Sequence, residues 1–124
     1  MTTSLARRAL PWILRAPLSV LMLLAGLTKF LPEAGWDARF AAWGYATWFV
    51  AVIGTLEVVG AVGLWIPRVR QPAAIGLAVL MLGAIYTNLT HPPMAEAIRP
   101  LSFLLAFGGL AWLQRSDAPD TVVA

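Results

Sequence analysis

Four long apolar runs separated by three short polar breaks organise the chain, at residues 10–31, 44–66, 72–90 and 98–114. Each comes close to the ~20 residues a helix needs to cross about 30 Å of hydrocarbon. The breaks differ in chemistry. Pro32, Glu33, Gly35, Asp37 and Arg39 part the first pair, PRVRQP (67–72) the second and HPPMAEAIRP (91–100) the third, with prolines where helices stop or start. The pattern predicts an all-α chain, an integral membrane four-helix bundle in one domain over residues 1–115, with a short polar, disordered tail at 116–124.

A water-soluble helical bundle conflicts with the charge pattern. Runs 44–66 and 72–90 carry a single side chain commonly charged at neutral pH, Glu57, so neither offers water a polar face. Composition agrees: 60% hydrophobic and 12% charged residues, with a mean hydropathy of +0.76, exceed what a soluble core requires. Arg7 and Arg8 precede LSVLMLLAGL in the manner of a signal peptide, but no small-x-small cleavage site precedes Lys29, so the first run reads as an uncleaved helix.

Basic residues set the expected orientation. Arg7, Arg8, Arg15, Arg68, Arg70 and Arg115 fall on one side and Lys29, Arg39 and Arg99 on the other, which places the N- and C-termini in the cytoplasm of a multi-pass protein of the inner (plasma) membrane. The net charge of +3 then reports topology and contact with anionic membrane lipids; no basic cluster is large enough for nucleic acid. In the first outer break, Trp36, Phe40 and Trp43 are spaced four and three apart, predicting a short interfacial helix within 34–43 with Asp37 and Arg39 turned away. These aromatics also suit a headgroup-level belt with Tyr45 and Trp48, as Trp12, Trp65 and Trp112 do at the other boundary.

The chain contains no cysteine and one histidine, which removes thiol redox steps, iron–sulfur ligation, c-type haem and bis-histidine haem within one protomer. No P-loop, Rossmann glycine motif or metallohydrolase signature is present, and no metal site is expected. What remains is a small set of polar groups in or near hydrocarbon. Glu57 falls near mid-span, where an ionisable side chain is costly and calls for a partner. Arg15 and Lys29 on the first helix are the two candidates; the bland alternative is a structural ion pair or a protonated glutamate. Gly54, Glu57, Gly60 and Gly63 recur every three residues, a strip suited to close helix packing, and Gly76 and Gly83 suit packing or a homo-oligomer face. YTNLTHPP supplies Tyr86, Asn88 and His91 at the outer end of the third run, with Arg99 opening the fourth. Together with Trp36 these groups are expected to bind a ligand in a cavity with a polar mouth and Glu57 at its floor.

The order of LRAPLSVLMLLAGLTKFL, then IGTLEVVGAVGLWIPRVRQPAAIGLAVLMLGAIYTNLTH, then LLAFGGLAWLQR resembles the DoxX-like membrane proteins, from about Leu14 to Arg115. The resemblance is carried by Arg15, by Gly26-x-x-Lys29-Phe30, by Gly54-x-x-Glu57-x-x-Gly60 and by the Arg68/Arg70 turn. It implies a four-helix bundle acting as accessory or anchor for redox or stress-response complexes, with Glu57 and Lys29 lining a pocket for a quinone head and no covalently bound cofactor.

Three classes of function follow. The first is a non-catalytic bundle that binds a quinone-like or other lipophilic small molecule and docks a soluble redox partner. The second is an intramembrane isomerase, hydratase or cyclase, with Glu57 as acid or base and Tyr86, His91 or Lys29 as its complement. The third is a small transporter or channel built by oligomerisation.

Overall fold

The computed structural model describes residues 2–91 and 94–115, with side chains from residue 9 onward. The tail expected at 116–124 and the side chains of Arg7 and Arg8 lie outside these limits. Among the described residues the chain is helical throughout: α1 (Thr2–Thr28), α2 (Trp36–Ala42), α3 (Trp48–Gly63), α4 (Arg70–Thr90) and α5 (Ile98–Leu113), with 3-10 turns at Pro32–Ala34 and Met94–Ala97. No strand occurs among them. Helix α1 packs along α3 and α4 along α5, and the two pairs join through α3 against α4 and α1 against α5.

Three segments are long and apolar enough to cross a membrane: Ala9–Thr28, Arg70–Thr90 and Met94–Leu113. Less than a third of each lies inside the protein, so most of their apolar side chains, Val79 and Leu105 among them, point outward. Such surfaces suit hydrocarbon and not water. The second apolar run is helical only over Trp48–Gly63, 16 residues. That length spans about 24 Å at 1.5 Å per residue. The run loses helix at both ends: Gly44 adopts φ +88° beyond α2, and residues 64–69 leave the helix in turns.

The two halves of the bundle are filled differently. Around Leu18, Ala61, Leu64, Ala74, Leu77, Phe107 and Leu110 the interior is a packed apolar core. Met22 and Met81 cap that core, and both also face an open space in the other half. At the far end of the core a polar clamp ties the helix ends together. The Arg15 guanidinium donates to Gln114 Oε1 at 2.9 Å, Gln114 Nε2 to the Arg70 carbonyl at 2.9 Å, and Gln71 Nε2 to the Ala111 carbonyl at 3.0 Å. Trp12 stacks beneath Arg15 and touches Trp65, whose indole N–H donates to Ser19. Trp12 and Trp65, expected as part of a belt, therefore also close this end of the bundle.

Candidate functional site

The site begins with two glycines. A Cβ at Gly26 would lie 2.8 Å from the Gly54 carbonyl oxygen, and one at Gly54 would lie 3.0 Å from the Gly26 carbonyl oxygen. Helices α1 and α3 thus cross nearly backbone to backbone, which only side-chain-free positions allow. Lys29 and Glu57 each stand three residues beyond one of these glycines. Side chains lean toward the N-terminus of their own helix, so in an antiparallel pair both lean back toward the crossing. There they meet: Lys29 Nζ is 2.7 Å from Glu57 Oε1, with both side chains buried.

The ammonium has a second neighbour. It sits 4.1 Å from the centroid of the Trp36 ring, in cation–π contact from above. Trp36 is fixed by its indole N–H, which donates to Thr28 Oγ1 at 3.2 Å, while that hydroxyl donates to the Ala25 carbonyl. Helix α2 can lie over the pair because Gly35 and Gly44 take φ of +78° and +88° on either side of it. Phe40 anchors it, buried among Trp36, Trp43, Tyr45 and Phe49 with ring centroids 5.4–6.2 Å away.

Beneath α2 lies a cavity of about 460 Å³, walled by α1, α3, α4 and α5. Its lining is chiefly apolar and aromatic, with polar groups converging from several elements, the usual make-up of a small-molecule site. Lys29, Glu57, Trp36, Tyr86, Asn88 and Arg99 all border it. Glu57 Oε1 is fully occluded against Lys29, and Glu57 is among the residues that line the cavity. Asn88 is buried, and its amide donates to the Ala84 carbonyl at 2.9 Å.

Two of the residues expected to bind ligand are not brought here. Arg15 lies 14 positions before Lys29, about 21 Å along the helix axis; it belongs to the clamp at the opposite end and does not line the cavity. His91 is also absent from the lining, and its Nδ1–H is held by the Thr87 carbonyl at 3.0 Å. Tyr86 borders the cavity but is 66% exposed, its ring on the outer flank of α4.

Other groups stand in the site that the sequence reading left out. Thr87 donates to the Gly83 carbonyl, so Tyr45 donates its hydroxyl proton to Thr87 Oγ1, at 2.7 Å. Arg39, expected to turn away from the aromatic face, instead lines the cavity, stacks near Trp36 and pairs with Glu96 at 2.8 Å. A guanidinium on a short helix can follow the ring faces beside it while its tip reaches a carboxylate. The available signal was the aromatic run around Arg39 and the lone acid in HPPMAEAIRP. Neither says that the two segments meet.

The glycine strip serves two neighbours. Gly54 faces α1, whereas a Cβ at Gly60 would meet Leu77 at 2.6 Å and one at Gly63 would meet Ala73 at 3.0 Å, both on α4. Around Gly76 and Gly83, the helix's own nearby backbone aside, nothing among the described residues lies within 4 Å of a Cβ. No group of three or more metal-ligating side chains occurs among the described residues.

Compared with known families, the chain matches the model of the DoxX-like family over residues 13–111. Searches of the curated proteins and of the solved structures returned no significant match.

Proposed function

The chain belongs to the DoxX-like family and is a membrane protein, and from that premise we propose that it binds a lipophilic small molecule in the cavity under α2. The observation that carries this reading is a buried Lys29–Glu57 pair opening into an aromatic-walled space of about 460 Å³. An ion pair in an apolar interior contributes little net stability, because desolvation offsets much of its attraction. A pair at the head of a ligand cavity has a further use. Lys29 keeps N–H donors beyond the one aimed at Glu57, and Asn88 adds hydrogen-bonding capacity on the facing wall. A head group that accepts hydrogen bonds, as quinone carbonyls do, fits that set, with its apolar tail among Phe49, Ile53 and Phe103.

In this proposal the chain spans the inner membrane four times, α3 and its flanking turns making the fourth crossing. Both termini are cytoplasmic and the cavity lies in the outer half. The chain is an accessory subunit that holds the lipophile for a redox or stress-response partner. Of the three complements considered for proton transfer by Glu57, Lys29 stands at the pair, whereas His91 is off the cavity and Tyr86 is largely exposed, which leaves that reading with less support.

Native mass spectrometry of the purified chain in mild detergent tests the reading, paired with titration by decylubiquinone, which quenches tryptophan fluorescence. Wild type is expected to retain a lipophile, chemically unaltered, and to bind decylubiquinone saturably; Glu57→Gln is expected to lose most of both. A ligand-free protein that shows no saturable quenching overturns the proposal. An isomerised, hydrated or cyclised product formed by wild type and not by Glu57→Gln would replace it with the enzyme.

A further inference from the structure

The seam between α3 and α4 is shut at two levels. Toward the packed core, Leu77 and Ala73 fill the grooves left by Gly60 and Gly63. Toward α2, the Tyr45 hydroxyl is bonded to Thr87. Between Leu77 and Thr87, about 15 Å of α4, the wall is different. Leu80, Gly83 and Ala84 line the cavity, as do Ile53 and Phe49 across the seam. Val79 and Tyr86 line it too, although they are 58% and 66% exposed on the outer flank of α4. A residue that borders the cavity while most of its surface is exposed marks a place where the wall is a single residue thick. Gly83 lies between these two on the helix and contributes no side chain to that wall.

Two other routes suit a lipophile less well. The α1–α3 seam is sealed by the Gly26–Gly54 approach, and at the α2 end, where Arg39 and Glu96 line the cavity with side chains 38% and 42% exposed, the opening is ringed by charged groups rather than by apolar ones. We propose that the ligand enters and leaves sideways, from the hydrocarbon, through a window in the α3–α4 seam whose sill is Gly83. This inference rests on the cavity reading above and adds its route. A lipophile dissolved in the bilayer reaches the site tail and head together, without crossing water, and the Lys29–Glu57 pair at the inner end of the path captures the head.

Two glycines on the same flank of α4 make a matched test. Gly83 and Gly76 both face open space, so a larger side chain at either leaves the helix packing intact, but only Gly83 borders the cavity. Wild type, Gly83→Phe and Gly76→Phe are reconstituted as the full chain in lipid nanodiscs, and stopped-flow tryptophan quenching by decylubiquinone gives both rate constants. Gly83→Phe is expected to slow association and dissociation together by about tenfold, with Kd little changed, since an obstructed route alters rates and not the bound state. Gly76→Phe is expected to match wild type. Equal rates in the two variants, with saturable wild-type binding, overturn the window and leave the cavity reading standing. Faster association in Arg39→Ala/Glu96→Ala moves the entrance to the α2 end and likewise overturns it. Absence of saturable binding to wild type removes the cavity reading itself.

Discussion

Exchanging Lys29 for methionine keeps most of the side chain's length and deletes its charge, which leaves Glu57 buried without its partner. At the observed 2.7 Å the gross Coulomb attraction is about 6 kcal/mol at an effective dielectric of ~20. Desolvation of both groups offsets much of that, so the intact pair contributes little net stability, whereas stranding one buried charge costs about 3–5 kcal/mol. Loss of the cation–π contact with Trp36 adds about 0.5–2 kcal/mol. Lys29→Met is therefore predicted to lower unfolding stability by at least about 3 kcal/mol. Lys29→Met combined with Glu57→Leu removes the stranded carboxylate as well. The double variant should return to within about 1–2 kcal/mol of wild type, because an apolar pair of similar volume replaces an ionic one at little cost. Unfolding by SDS in mixed micelles, followed by circular dichroism, measures all three proteins. A single variant as stable as wild type, or a double variant no better than the single, would refute the argument. If the double variant folds, its failure to bind decylubiquinone separates the pair's role in binding from its role in packing.

The glycine crossing makes a steric prediction: Gly26→Val, whose Cβ would meet the Gly54 carbonyl at 2.8 Å, should cost about 1–3 kcal/mol in the same unfolding assay, while Gly76→Ala should be neutral or slightly stabilising. Gln114→Leu removes the acceptor for Arg15 and the donor to the Arg70 carbonyl, and is predicted to cost about 1.5–3 kcal/mol as the loss of a hydrogen bond to a charged group. Tyr45→Phe breaks the contact with Thr87 and should destabilise by about 0.5–1.5 kcal/mol, whereas Tyr86→Phe, mostly exposed, should unfold like wild type. For topology, a cysteine at exposed Asp37 should react with an impermeant reagent applied to intact cells and one at exposed Arg68 should not; the reverse pattern would invert the proposed orientation.

Properties that are local in the chain were legible before any folding. Apolar runs of about twenty residues specify helices suited to a membrane, the four-three spacing of Trp36, Phe40 and Trp43 specifies α2, and a glutamate in hydrocarbon announces a buried partner. Even the two Gly-x-x motifs were visible, though as a loose packing signal. What the sequence left open was which residues share a level of the bundle. Arg15 and Lys29 were equivalent partners for Glu57 until the Gly26–Gly54 crossing set the register of α1 against α3 and brought only Lys29 within reach. The same holds for Arg39 with Glu96, 57 positions apart, and for Arg15 with Gln114, 99 apart. It holds as well for Tyr45 rather than Tyr86 as the tyrosine bonded to Thr87. Helical periodicity fixes which face a residue occupies but not the height at which that face meets another. That height is decided by the sum of many small packing contacts between distant segments, and no single residue's chemistry encodes it.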